Sequence, residues 1–474
     1  MSIWDLPWLE FSIVLPLIGA IWVSRFRDPI QAIRWSLTFT GATLACTLLT
    51  CIGFYLHLPE SEQGLSMQMY YFGRRLMHVD ELSAPLVVLL AVLHFLTTLA
   101  TGRTKMRRFS FAWSQASEAI RMAAFACTDP WLLIGLLALG TLPGYLELLN
   151  RGKPTRVYVL HMGLFVGLMV LGWAFVNPDG NHTLQTAWAT VPLLVAILIR
   201  CGTVPAHCWV TDWFEHASFG NALLFATPLV GVYAAIRLVL PIAPDWVLQS
   251  IGIMSLITAI YAAGMAAVQQ EARRFFAYLF LSHASLVLVG LELVTSIGLL
   301  GALCMWFSVT LALGGFGLTL RALEARVGTL SLAKFHGLYE STPSLAVCFL
   351  LTGFASVGFP GTLGFVSIDL LVDGAVEANP YLGVGIVIAS AINGIAIVRA
   401  YFAIFTGTRR TSSISLAIGL RERIAVLSLA VLILIGGVFP QAGVASRYRA
   451  AEAILKDRAT RIPPSDDTPV HARH

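Results

Sequence analysis

Lysine is nearly absent from this chain of 474 residues: Lys105, Lys153, Lys334 and Lys456 are its only examples, and none lies in an apolar run. Charge of either sign is scarce, at 12% of residues against 57% hydrophobic, whereas a soluble domain carries about 25%. Mean hydropathy is +0.77. The polar faces that a large soluble helical protein needs are missing, which excludes that class. Also missing are a P-loop and a dinucleotide fingerprint. Cys201, His207 and Cys208 form the only tempting metal cluster, but their spacing fits no zinc or iron–sulfur pattern. The other cysteines behave as small hydrophobes. No metal or redox cofactor is therefore expected in this chain. The net charge of +5 requires no nucleic-acid partner, because Lys and Arg cluster in short loops, as in a membrane protein. Met1–Phe11 holds Asp5 and Glu10 and no basic residue, so it lacks a signal-peptide n-region, and the first apolar run is expected to be retained as helix.

What the chain has is long apolar runs, of the roughly 18 to 25 residues that cross a bilayer as helix. About fourteen can be read, near 8–24, 36–56, 83–101, 110–127, 130–149, 156–176, 185–203, 220–241, 246–268, 274–294, 297–320, 344–374, 381–405 and 422–440. The fourth is the weakest, interrupted by Ser114, Gln115, Glu118 and Arg121. Odd-numbered exits carry the basic residues: Arg25, Arg27 and Arg34; Arg103, Lys105, Arg107 and Arg108; Arg151, Lys153 and Arg156; Arg273 and Arg274; Arg321, Arg326 and Lys334; Arg409, Arg410, Arg421 and Arg423. Even-numbered exits such as Asn177–Thr183 and Pro241–Asp245 are nearly free of them, so odd exits are expected in the cytoplasm. The tail disagrees, because an even count places Arg447, Arg449, Lys456, Arg458 and Arg461 outside.

Two of the runs read as broken by Gly and Pro: the seventh at Gly202 and Pro205, the twelfth at Gly358, Pro360 and Gly361. Proline removes a backbone donor and clashes with the preceding turn, so each helix should open there. Lipid cannot pair the freed groups, so such openings line protein or a wet cavity. Paired breaks at corresponding positions suit two repeats with a transport site between them; two independent kinks are the plainer alternative. Ionisable groups at membrane depth cost roughly 2.5–3.5 kcal/mol and are functional candidates by default. They are Glu118, Arg121, Glu147, His161, Arg200, His207, Asp212, Glu215, His216, His283, Asp369 and Arg399. Glu147 reads as snorkelling to the interface, and His161 as a packing residue. Arg200 stands at the seventh break as a fixed cation, followed by His207, Asp212, Glu215 and His216; Asp212 and Glu215 read equally well as interfacial caps. Asp369 follows the twelfth break, where burial would raise a carboxyl pKa. A pairing of Arg200 with Glu118 is expected if the repeats face each other. With no membrane lysine, a proton path must use His, Asp, Glu and water, with Arg as fixed charge.

His207-Cys208-Trp209-Val210-Thr211-Asp212 resembles the H-x-W-L-P-D stretch of the antiporter-like subunits of respiratory complex I and the Mrp antiporters. Glu271-Ala272-Arg273-Arg274-Phe275-Phe276-Ala277-Tyr278, with Ser282-His283, resembles their D-x-K-R-x-L-A-Y-S-x-x-S-H. Gly358-Phe359-Pro360-Gly361 with Gly364-Phe365 resembles G-L-P-G-x-x-G-F, and Arg399, Tyr401, Phe405 and Gly407 match R-x-Y-x-x-x-F-x-G. The resemblance covers roughly residues 110–410 and implies an all-α polytopic membrane protein of about fourteen helices, with two inverted five-helix repeats and broken helices seven and twelve. The expected divisions are 1–109, an N-terminal three-helix segment; 110–241 and 246–407, the two repeats; 408–444, the last span; and 445–474, a polar tail. On that resemblance the ion pathway would run through Glu118, Arg200, His207, Asp212, Glu215, Arg273, His283 and Asp369.

The chain departs from the family at telling places. The glutamate of the fifth helix falls at Ala138, the lysine of the broken seventh helix at Arg200, the lysine of D-x-K-R at Arg273, and the Lys or Glu of the twelfth at Ile368; A-P-T-P becomes Ala217-Ser218-Phe219-Gly220. Residues Gly361–Leu371 resemble a divergent branch, the DabB-type membrane subunit of bacterial inorganic-carbon uptake complexes. That branch implies a cation-conducting subunit in the bacterial inner membrane, with a large peripheral DabA-like partner that holds the zinc. The alternatives are a proton-translocating subunit of an NADH-quinone oxidoreductase, similar to subunit M or N, an Mrp-type antiporter subunit, or a structural scaffold.

Overall fold

A chain this apolar can pair its backbone inside lipid only as helix, and helix accounts for most of the described residues. The computed structural model describes residues 6–56, 70–71, 74–102, 105–106, 109–177, 186–408 and 418–462. Arg103, Arg107, Arg108, Arg409, Arg410, most of the loop after Asn177 and the chain beyond residue 462 lie outside the described residues. Helices α1 (Trp8–Val23) and α2 (Pro29–Leu56) precede a two-residue hairpin, β1 (Tyr70–Tyr71) on β2 (Arg74–Arg75). Then follow α3 (Ser83–Leu99), α4 (Phe111–Ala126), α5 (Pro130–Leu139), α6 (Leu142–Asn150), α7 (Arg156–Ala174), α8 (Ala187–Cys201), α9 (Cys208–His216), α10 (Phe219–Ala226) and α11 (Val230–Ala234), which runs into a π-helical turn, Ala235–Val239. The second half holds α12 (Asp245–Val268), α13 (Ala272–Glu292), α14 (Ser296–Val327), α15 (Pro343–Ser356), α16 (Leu363–Ala378), α17 (Pro380–Phe405), α18 (Leu420–Val438) and α19 (Gln441–Arg461).

Eight helices or helix pairs among the described residues are long and apolar enough to cross a membrane. The other apolar runs are shorter helices, such as α1, α3, α8 and α15, or bent pairs. Two kinds of helix are distinguishable. In α13 and α14, 89% of the apolar window is inside the protein; in α2 and α7 only 28% is. The first kind forms the core and the second presents Leu, Ile and Trp to lipid. Gly314, Gly315 and Gly317 on α14 lie against Leu93, Thr352 and Leu223, which makes them close-packing positions. Far from interrupting a span, Ser114, Gln115, Glu118 and Arg121 of α4 are all buried, turned into the protein rather than to lipid.

The tail resolves the disagreement in the loop charges. Helix α19 turns 78° from α18 and lies across the face reached by even-numbered exits. Arg447 donates to Glu81 O at 2.6 Å and Leu82 O at 3.3 Å. Arg458 donates to Leu240 O at 2.5 Å, Ala243 O at 2.8 Å and Asp245 Oδ1 at 2.8 Å, and Arg449 pairs with Glu81 at 3.0 Å. These cations serve carbonyls and carboxylates of that same face, so they are no argument for the opposite one. Beside them, Arg237 donates to Asp80 Oδ2 at 2.6 Å. Burial alone would raise the Asp80 pKa, but Arg237 and the Ser83 N–H outweigh it and hold the carboxyl down at about 2.

Candidate ion pathway

The seventh run breaks where Gly202 and Pro205 require it. Gly202 takes φ +73°, and a Cβ there would meet Val210 and Leu281 at 2.7 and 2.8 Å. The carbonyls that lose their helical donors are paired inside the protein: Leu198 O accepts from Thr203 N at 2.9 Å and Thr203 Oγ1 at 2.8 Å, and Ile199 O accepts from Gly202 N at 3.1 Å and Trp209 Nε1 at 2.8 Å. The twelfth opens over residues 357–362, with Gly358 and Gly361 at φ +87° and +82°. There Phe354 O accepts from Val357 N and Phe359 N, each at 3.1 Å. A third break falls in the eighth run at Thr227-Pro228-Leu229, where continuous helix is expected from apolarity; Pro228 was its signal. Pro228 has no N–H for Leu224 O, and Arg121 Nη1 supplies the missing donor at 2.6 Å.

Arg121 is the hub of a buried polar cluster. It also bonds Ser117 O at 3.0 Å, Ser117 Oγ, and His94 Nε2 at 3.4 Å. His94, on α3, is fully buried, and its Nδ1 faces Leu90 O at 3.0 Å. It escaped sequence reasoning although a histidine in an apolar run was the available signal. Glu118, one turn before Arg121, is fully buried, and neither carboxyl oxygen has a hydrogen-bond partner among the described residues. The Arg121 guanidinium feels both the Glu118 carboxylate and the Arg200 guanidinium. Arg200, 8% exposed, packs on Phe225 at 4.7 Å and Trp209 at 5.6 Å, in cation–π geometry. The expected Arg200–Glu118 pair is not formed: Glu118 sits with Arg121 on its own helix, and Arg200 belongs to the aromatic wall. A cleft of about 300 Å³ opens at Arg121 between Ser117, Glu147, Trp213 and Asn221, and one of about 330 Å³ lies at Arg200.

The remaining candidates divide. His283 is buried on α13, its Nδ1 facing Leu279 O at 2.8 Å and its ring beside the Ser356 backbone at the end of α15. Beside it in sequence, Ser282 Oγ donates to Ala259 O and accepts from Asn393 Nδ2, each at 2.8 Å; Ser285 on α13 and Ser308 on α14 are also buried. His207 packs against Tyr261 and Tyr278. Asp212 pairs with His216 at 3.1 Å and Glu215 with Arg274 at 2.6 Å, both partly open to solvent, which fits their interfacial reading. Arg273 grips Glu324 with two bonds of 2.7 and 2.8 Å and donates to Phe214 O, Glu215 O and Ala217 O. It is a clasp on the end of α9. Arg399 similarly holds Ala267 O and Gln269 O at the end of α12.

Two expectations need correction. Glu147 does not snorkel. It is buried, accepting from Ser218 N at 3.1 Å and Asn221 Nδ2 at 3.0 Å, because the N-terminus of α10 offers unpaired donors there. Asp369 is not in the core: it sits on an exposed face of α16 with Asp373 and Glu377, one helical turn apart each. Gly301 and Gly374 bring the opposite face of α16 against α14, which turns position 369 outward.

Discontinuous helices beside fully buried ionisable groups define a polytopic membrane protein of the antiporter-like class. The chain belongs to the NADH:quinone oxidoreductase/Mrp antiporter transmembrane family, whose pattern it matches over residues 114–393. It is 26% identical over 490 residues to NADH-quinone oxidoreductase subunit M of Pseudomonas aeruginosa, covering 92% of this chain and 94% of that one. It is 28% identical over 410 residues to NAD(P)H-quinone oxidoreductase chain 4 of Acaryochloris marina, covering 79% of this chain and 76% of the relative. The fold is that of a chain in respiratory complex I from Thermus thermophilus, with TM-score 0.83 and 22% identity over 95% of this chain and 99% of that one. It is also that of a chain in the Mrp complex from Dietzia sp., with TM-score 0.81 and 18% identity over 97% and 100%. The chain is thus an antiporter-like, multi-pass protein of the bacterial inner membrane.

Proposed function

We propose that this chain is a proton-translocating membrane subunit of a quinone-oxidoreductase complex, similar to subunit M. The relatives named above carry that description, which favours it over the inorganic-carbon branch expected from Gly361–Leu371. The observation that carries translocation is Glu118: a carboxyl with no exposure and, among the described residues, no hydrogen-bond partner, one turn from Arg121. Such a group can take up or release a proton without breaking a bond first. Arg121, one turn away, stays charged, and the clefts at Arg121 and Arg200 offer room for water. In the second half, His283, Ser282 and Asn393 are a separate set of buried polar side chains, with Asn393 bonded to Ser282. The exposed acids Asp369, Asp373 and Glu377 support membership of a complex, because a neighbouring subunit would cover a face too costly to leave in lipid.

The test is the native complex in proteoliposomes. Glu118→Gln is expected to leave assembly and quinone reduction in place and to abolish or sharply reduce acidification of the lumen. Undiminished pumping would remove Glu118 from the path. The substitutions at Ala138, Ile368, Arg200 and Arg273 keep inorganic-carbon uptake, with a DabA-like zinc partner, as a second reading. Mass spectrometry of the co-purifying chains separates the two: flavin and iron–sulfur subunits support the first, a large soluble zinc protein the second.

A further inference from the structure

Where the family carries A-P-T-P, this chain carries Ala217-Ser218-Phe219-Gly220, and the altered segment lines a cleft of about 380 Å³ with Lys105, Arg151, Arg273 and Arg321. Among the described residues the only acid lining it is Glu324, shared between Lys105 at 2.9 Å and Arg273 at 2.7 Å. Arg151 has a loose contact of 3.8 Å with Glu147, which stands behind Ser218. Glu422 lies on the far side of Arg321 but is held by Arg326 at two distances, 2.5 and 3.2 Å. Arg321 itself is 6% exposed, and its hydrogen bonds go to neutral groups, Thr97 O at 3.0 Å and Thr101 Oγ1 at 2.9 Å. A buried guanidinium without a carboxylate partner is costly unless an anion accompanies it.

Two further features aim donors at the same cleft. Gly220 admits the guanidinium: a Cβ there would meet the Arg321 Cζ at 2.8 Å and the Phe109 ring at 2.9 Å. Ser218 occupies the N-cap position of α10, but its side chain makes no capping bond. The residue is 8% exposed, and its buried Oγ has no partner among the described residues. The first-turn N–H groups of an eight-residue helix stand beside it, where an oxyanion is favoured.

We propose that this cleft binds a phosphate group, free or borne on an anionic lipid, with Arg321, Ser218 Oγ and the start of α10 as its principal ligands. The site is separate from the conduction reading, since it uses neither Glu118 nor Arg200. It also gives Ser218 and Gly220 a reason to replace the two prolines of the family stretch, for Pro at either position would take a donor or space from the anion.

The experiment is thermal unfolding of the purified complex in detergent, titrated with inorganic phosphate at constant ionic strength, alongside native mass spectrometry with phosphatidylglycerol added. The unsubstituted protein is expected to be stabilised by phosphate or to retain phosphatidylglycerol. Arg321→Gln should weaken that response by about tenfold or more, the loss of one charge-assisted contact. Ser218→Ala, which is expected to fold normally, should weaken it by a smaller factor, and Arg274→Gln, outside the cleft, should not. A phosphate response supports a free anion, and lipid retention alone supports a lipid-borne phosphate. No response to either probe, or a response that Ser218→Ala and Arg321→Gln leave intact, overturns the site; a partner carboxylate filling the cleft would give that result.

Discussion

The two broken helices solve one backbone problem with opposite electrostatics. At the first, between α8 and α9, the freed carbonyls are paired by Thr203, Gly202 and Trp209, and two buried guanidiniums and a buried carboxylate stand close by. At the second, between α15 and α16, the loop pairs its own carbonyls. The nearest buried ionisable group there is His283, and Asp369 points away. Glycine and proline thus decide where the backbone opens, but not whether the opening is charged. That depends on which helix turns its polar face inward, and only α4 brings both signs into the core.

The largest test of this contrast is Arg121→Leu. It strands Leu224 O at Pro228 and leaves Glu118 as a buried carboxylate beside no cation on its own helix. Breaking a buried charge pair on one side costs about 3–5 kcal/mol, and a loss of that size is expected in the melting of the detergent-solubilised chain. Glu118→Gln in the same background should recover part of it, because the stranded charge is then gone. A double variant no better than Arg121→Leu alone would show that the carbonyl, not the carboxylate, is what Arg121 serves.

Next comes a comparison of Gly202→Ala with Gly361→Ala. Both glycines have positive φ, but a Cβ on Gly202 meets Val210 and Leu281 while one on Gly361 meets nothing within 4 Å. Backbone strain costs each about 1–2 kcal/mol, and overpacking adds about 1–3 kcal/mol at Gly202 alone. Equal losses in the two melts would mean that the first break relaxes as freely as the second.

How much of this could be read from residues follows from the same physics. Apolar runs and Gly-Pro punctuation are local, so the helices and two of the three breaks were legible; the third lay behind Pro228 in a run too apolar to look broken. Charges were found but not sorted. Arg321 reads as loop charge because it ends an apolar run, yet it is buried in α14, and Glu147 looks interfacial because Asn150 and Arg151 follow it. Which face a charged residue takes depends on the neighbouring helices: Gly301 and Gly374 turn Asp369 outward, and nothing near position 369 in sequence says so. The tail's arginines misled for a related reason, since their partners at residues 80–82 and 240–245 are distant in the chain.

The smallest effect is expected at Asp369. If its carboxyl is outside the core, Asp369→Asn removes no buried bond and strands no partner, and the isolated chain should change by no more than about 0.5 kcal/mol, the range for surface positions. The same substitution at a desolvated carboxyl held by a cation would cost several times that. The measurement is the melting midpoint of the purified chain, taken beside that of Arg121→Leu. A drop comparable to Arg121→Leu would mean that α16 turns its acidic face into the core, and the second break would then be charged like the first.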